Sequence, residues 1–593
     1  MTNIEEKVRQ LIRGTSFIHG KRIPPASSRY LHLAENIVRQ AVFWQNEDGR
    51  IIDPYKKKET NTLTARFVGA LGLLILKGRC LDLAGACARA LTPALEDLFH
   101  KKTDWGEFIT KEACMAYIAL KDQVQPELSA RWRHLLGDYD PEQSYGRTFT
   151  NNPSDLHNYC TFAIAGEALK QKYGLADNGD FIERYVEQQL TRFDQNGMYN
   201  DPRSPMTYDM VPRMNLSLAL WAGYTGQHYE KLSETLKLGA LSQLLYQSPV
   251  GECPFGGRSN QQNFNEVTFA LICEFEAVRW VKQGDLAMAG AFKRAAALAI
   301  NSIEKYLHET PIFFTKNQFP AETQHGRQIG YGFYGAYSLL IASQLGFASI
   351  LADENIKEAK CPAECGGYVF ITEKSFHKIF ATCAGHHIEI DTNADFDYDA
   401  TGLGRVHFAN CPAEFVLSIP ITARPGYLVS CNAAPRNVSI GPGWLADNGA
   451  RHWLADYSGT ANSVCMEVSE ENAKATAFKL EYRNVGNCDG IIEEYRIDNE
   501  GIAIKDTIRN YDKEFAVQIP LLVTDGMNKS EIKIDGKSFI VKYGNFSYRA
   551  ECIYPENAEL YIEDFDAPNR NGIYRVGVFK AHSNTIEYKI SLF

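Results

Sequence analysis

The sequence has no run of about 18 apolar residues free of breakers, so no membrane span is expected among its 593 residues. Nor is there an excess of positive charge: 62 Lys and Arg against 72 Asp and Glu leave a formal net charge of −10. Nucleic-acid partners, whose binding rests on neutralising phosphates, are therefore not expected. The triplet Lys56, Lys57 and Lys58 is too short to alter this and reads as a solvated loop. The 14 Cys also lack a zinc pattern, since Cys361 and Cys365 have no second pair to complete a site. Cys160, Cys273 and Cys383 fall in apolar runs, where a thiol acts as a small core residue, which favours a reducing compartment. Met1 to Arg13 is charged and amphipathic, without the apolar core of a signal peptide, so a cytoplasmic location is the expectation.

What is present describes a folded chain. A hydrophobic content of 45% and a charged content of 23% are those of a soluble globular protein, and the length calls for two or more domains. The 30 Tyr and 32 Phe supply flat apolar faces, with a polar edge on Tyr, that suit cores and sugar rings alike.

Two periodicities divide the chain. Up to about residue 350 apolar residues recur at helical spacing, as in Ile37, Val38, Ala41 and Val42, and again in Val267, Leu271, Phe275 and Val278. Some segments, such as "LTARFVGALGLLIL" from Leu63, are apolar on more than one face and predict helices covered on both sides. About a dozen such helices, joined by polar loops, predict an (α/α)6-type toroid over 1–355. After "ADENIKEAKCPAECGG" (352–367) the rhythm changes to period two in "GYVFIT", "HHIEID", "EFVLSIP", "IAIKDTI", "FAVQIPLLV" and "YRVGVF". That predicts an antiparallel β-sandwich over 366–593.

Polar groups crowd four loops of the helical half, where binding residues tend to sit. The first, "NNPSDLHNYCTF" (151–162), offers Asn151, Asn152, His157, Asn158 and Tyr159 where a helix begins, with Ser154 or Asp155 as its cap. The second runs from Asp194 to Leu220 and places Tyr208 five residues before Arg213. Arg213 would either favour a Tyr208 phenolate or pair with Asp209. The third, "CPFGGRSNQQNFNEVTF" (253–269), gathers Arg258, Asn260, Gln261, Asn265 and Glu266, more amides than a cap needs, and so a candidate surface for reading hydroxyls. The fourth, "ETQHGRQIGYGFYGAYSLL" (322–340), leads to Tyr331 at a helix mouth. In the β half, Asp395, Asp397 and Asp399 alternate and could hold a structural calcium ion. A solvated strand end is the simpler reading, and no cofactor is expected.

These loops on a helical toroid followed by a β-sandwich resemble the polysaccharide lyases of the heparinase II/III and chondroitin lyase type. They are also similar to the bacterial lyases of L-rhamnose-α-1,4-D-glucuronate. The resemblance implies β-elimination of a glycosidic bond 4-linked to a uronic acid, with a uronate-containing glycan as partner. In such lyases an Asn or Gln neutralises the uronate carboxylate, while His and Tyr serve as base and acid beside an Arg. Asn151, Asn152 or Asn158, then His157, Tyr208 and Arg213 match in type. The remaining candidates, Arg258, Asn260, Gln261, Asn265, Glu266 and Tyr331, would hold the substrate.

The chemistry needs such groups. The proton α to a uronate carboxylate is hardly acidic while that carboxylate keeps its charge, so donors must stabilise the enolate-like transition state before a Tyr or His can take the proton. Two alternatives remain: a glycoside hydrolase, which needs a carboxylate pair for which Asp155, Asp201, Asp209 and Glu266 are the acids available, and a glycan-binding protein without a base.

Overall fold

The computed structural model describes residues 4–14, 26–60, 62–149, 157–201, 206–458, 464–486 and 488–593. Asn151 and Asn152, with Ser154 and Asp155, lie outside the described residues.

Six helices close into an inner ring: Leu63–Leu76, Thr110–Leu120, Tyr159–Lys172, Thr207–Ala222, Phe264–Lys282 and Tyr334–Leu351, each packed on the next and the last on the first. Their sequences are apolar or small nearly all round, and Leu63–Leu76 buries every residue except Leu76, as a helix covered on two sides must. The outer helices are amphipathic. Gly179–Leu190, for example, buries only the stripe Phe181, Ile182, Tyr185, Val186, Gln189 and Leu190. With Ala26–Ala41, Ala84–Phe99, Pro126–Gly137, Tyr229–Tyr246 and Leu286–Leu307 it completes the outer layer of an (α/α)6 toroid. Tyr334–Leu351 is long and apolar enough to cross a membrane, yet 94% of it is buried within the protein.

The first strand begins at Tyr368. A four-stranded antiparallel sheet (Tyr368–Ile371, Lys378–Cys383, His386–Asp391, Gly402–Phe408) runs in sequence order. Alternation makes it two-faced: Tyr368, Phe370 and Phe380 join the toroid core, while Val369, Ile379 and Ala381 join the core of the β half. An eight-stranded and a six-stranded antiparallel sheet follow and share that second core. Of the six stretches predicted as strands, "EFVLSIP" is not one. Ala413–Phe415 forms a 3-10 turn, and the buried segment after it makes only isolated bridges, Val406 to Leu417 and Ile421 to Val438. There Arg405 Nε donates to the Ser418 carbonyl at 3.0 Å, so a side chain takes over part of the role of a ladder.

A buried ionic chain joins toroid and sheet. Lys316 bonds Glu266 at 2.6 Å and approaches Glu252 at 3.5 Å. Arg405 reaches Glu252 at 3.5 Å and Glu389 at 3.2 Å. Lys378 reaches Glu389 at 3.5 Å and Asp391 at 2.8 Å. The network also holds a loop: the Phe255 N–H donates to Glu389 at 3.1 Å and the Gly257 N–H to Asp399 at 3.3 Å. Gly256 and Gly257 have φ of 132° and 71°, which a residue with a side chain rarely adopts.

Candidate active site

At one end of the inner ring lies a cavity of about 360 Å³. Helices of the ring contribute Arg66, Tyr159, Phe162, Tyr208, Phe264, Tyr337, Leu340 and Gln344 to it, and loops contribute Trp105, Arg258 and Tyr331. Arg147 and Asn158 complete its polar edge.

Tyr208 and Arg258 form the centre of this wall. The Arg258 guanidinium carbon sits 4.0 Å from the Tyr208 ring centroid, and its Nη2 donates to Asp201 at 3.1 Å. Burial works against the Arg258 charge, but Tyr208, Asp201, Tyr331 and Tyr159 outweigh it and hold its pKa above the ordinary range. Asp201 also accepts from the backbone and the side-chain amide of Asn158, both at 3.2 Å. His157 stands beside this group rather than in the cavity lining, with Nδ1 3.9 Å from Asp201. Ser259, next to Arg258 and outside the cavity lining, has its Oγ 3.4 Å from the Tyr208 hydroxyl and 3.1 Å from that of Tyr331. Burial pushes the Tyr331, Tyr337 and Tyr159 phenols upward. It pushes the Arg66 guanidinium down.

The loop that carries Arg258 also explains where its neighbours sit. Asn260 donates to the Gly257 carbonyl at 2.7 Å and Asn265 to the Ser259 carbonyl at 3.0 Å. Gln261, at φ 58°, accepts from Asn571 at 3.1 Å. Glu266 belongs to the ionic chain with Lys316. None of the four lines the cavity. Asn260 and Asn265 thus serve a buried irregular backbone, whose polar groups must find partners, while Gln261 and Glu266 pair with side chains.

Arg213 also lies outside the cavity lining. It is fully buried against Asp209, with further bonds to the Gly197 carbonyl at 2.9 Å and the Leu236 carbonyl at 3.3 Å, so its charge is spent on Asp209 and not on Tyr208. A methyl at Gly239 would collide with that guanidinium and with the Gly197 carbonyl. Gly239→Ala is therefore expected to cost on the order of 3 kcal/mol in urea unfolding, through a disturbed buried ion pair.

Asp395, Asp397 and Asp399 lie in turns after the strand His386–Asp391, not along one strand face. Asp399 is used by the Gly257 and Asp395 N–H groups. Among the described residues no cluster of three or more His, Cys, Asp or Glu is placed to hold a metal.

The cavity also holds residues that the loops did not advertise. Arg66 donates to the Ala336 carbonyl at 2.7 Å and lies 5.2 Å from the Tyr337 ring centroid. A lone Arg inside "LTARFVGALGLLIL" was a usable signal, because a charge on a doubly covered helix needs a polar space to face. Arg147, 4.1 Å over the Trp105 ring, gave none.

No family model matches the chain, and no curated protein does. Among solved structures, heparinase III aligns over 100% of this chain and 89% of its own, with TM-score 0.51 and 9% identity. The fold is like that of heparinase III. A chondroitinase AC lyase aligns over 95% of this chain and 82% of its own at TM-score 0.47 and 9% identity. An unsaturated glucuronyl hydrolase variant from Streptococcus agalactiae aligns over 56% and 94%, at TM-score 0.41 and 10% identity. In this heparinase-like toroid, Asn158, Tyr208, Arg258 and Tyr331, one from each of the four polar loops, converge on one cavity.

Proposed function

We propose that the chain degrades uronate-containing glycans as a lyase, by β-elimination of the bond 4-linked to the uronic acid. The observation that carries this reading is the cavity lining. It includes Arg66, Arg147, Arg258, Tyr159, Tyr208, Tyr331, Tyr337, Asn158 and Gln344, and no carboxylate among the described residues. Asp201 stands behind Arg258 and Asn158 and is already paired. Hydrolysis by a carboxylate pair flanking the bond finds no such pair there. Elimination needs none. The likeness to heparinase III supports a glycan as the substrate.

In this reading Arg258 and the Asn158 amide draw charge from the substrate carboxylate as the α-proton leaves. Tyr208 takes that proton, with the Arg258 guanidinium stacked over its ring. His157 serves at the rim beside Asp201. Trp105, Phe108 and Phe162 give the sugar flat apolar faces.

The test is incubation with a panel of uronic-acid glycans. Ultraviolet absorbance from a new C4–C5 double bond is expected. New reducing ends without that absorbance would make the protein a hydrolase, and binding without products a glycan-binding protein.

A further inference from the structure

Ser259 is buried, and its backbone is left-handed, at φ 62°, a region that non-glycine residues occupy only when the surroundings impose it. The surroundings do impose it here. The Ser259 N–H donates to Gln328 Oε1 at 3.4 Å, and the same oxygen accepts from Arg570 of the β half at 2.8 Å. Its carbonyl accepts from Asn265 at 3.0 Å. So held, the Ser259 hydroxyl lies within reach of both the Tyr208 and the Tyr331 hydroxyls, at 3.4 and 3.1 Å. The longer contact is of the kind that tightens when substrate closes a site.

We infer that Ser259 is a proton relay that resets the two phenols after each elimination, an inference that rests on the lyase reading above. In the forward step the Tyr208 phenolate takes the α-proton, the C4–C5 double bond forms, and the C4–O4 bond breaks. The Tyr331 hydroxyl gives its proton to the departing O4. Tyr208 is then neutral and Tyr331 is a phenolate. The reset passes the Tyr208 proton to Ser259 Oγ while the Ser259 proton moves to Tyr331, restoring both groups. Overall the carbon proton is replaced on the leaving oxygen and nothing external is consumed. Burial and the neighbouring Tyr208 push the Tyr331 phenol well above its ordinary range, so its phenolate draws the proton back strongly.

The test uses the full chain and a uronate glycan from which the wild type forms unsaturated product. Two variants lack the hydroxyl. Ser259→Ala keeps the volume, and Ser259→Gly suits the left-handed backbone, so a folding defect confined to the first leaves the second to decide. Rapid mixing should show the first turnover close to the wild-type rate, a burst of about one product per enzyme, and then steady-state kcat down roughly 10²-fold. A role in shape alone would slow the first turnover as much as the later ones. Variants that lack a burst, whether they turn over as fast as wild type or slowly from the start, overturn the relay alone. A wild type that yields no unsaturated product from any uronate glycan overturns the lyase reading and the relay with it.

Discussion

Tyr208→Phe should leave a folded protein whose kcat on a uronate glycan falls by roughly 10²–10⁴-fold, the usual contribution of a positioned acid–base group. The change removes one oxygen from the cavity wall and keeps the ring, so the Arg258 stack at 4.0 Å and the packing of Thr207–Ala222 survive. KM should move little, because Asn158 and Arg258, not the phenol, are assigned to the carboxylate. The loss should appear equally in kcat and kcat/KM, as for an interaction made only in the transition state. Thermal unfolding of the variant beside wild type separates chemistry from folding. Near-native turnover in a variant that melts like wild type would remove Tyr208 from proton transfer.

The contrast between Tyr208 and Arg213 shows how far the sequence could be read. Both sit on one helix, five residues apart, and closeness in sequence alone suggested a pair, although i,i+5 lies about 140° round a helix and only i,i+3 and i,i+4 are neighbours on its face. Asp209 also lies on that helix, at i and i+4 to Arg213, and a buried carboxylate claims a buried guanidinium more strongly than a phenol does. The helical half was legible because a doubly covered ring demands helices apolar on several sides, as in Leu63–Leu76. The alternation of Tyr368 and Phe370 against Val369 was legible for the corresponding reason in strands. What one sequence does not carry is which polar loop residues serve the backbone and which serve a cavity. Asn158 and Asn260 are the same chemical group. One lines the pocket and the other bonds the Gly257 carbonyl, and only the path of the chain decides between them.

That path is held from the β half, so the largest loss of stability is expected there. Lys378 is fully buried, 2.8 Å from Asp391, 3.5 Å from Glu389 and 3.4 Å from the Phe255 ring centroid. Lys378→Met keeps the stem and removes the charge, leaving two buried carboxylates with Arg405 and His377 alone. An orphaned buried charge costs about 3–5 kcal/mol. Burial raises the Asp391 carboxyl, but His377 and Lys378 overcome it and hold it below its ordinary value. The stability that this depression supplies is present above the unfolded-state value of about 4 and lost as pH falls through the lower folded value. Without Lys378 that supply shrinks, and the carboxyls escape their penalty only by taking up protons. The deficit measured by urea unfolding should therefore be greatest near neutral pH and shrink below about pH 4. Because Glu389 and Asp399 hold the Phe255 and Gly257 N–H groups, the variant should also lose activity at temperatures where it is still folded, as Arg258 and Ser259 lose their fixed place beside Tyr208. Equal stability of Lys378→Met and wild type at neutral pH would show that the ionic chain does not set the position of this loop.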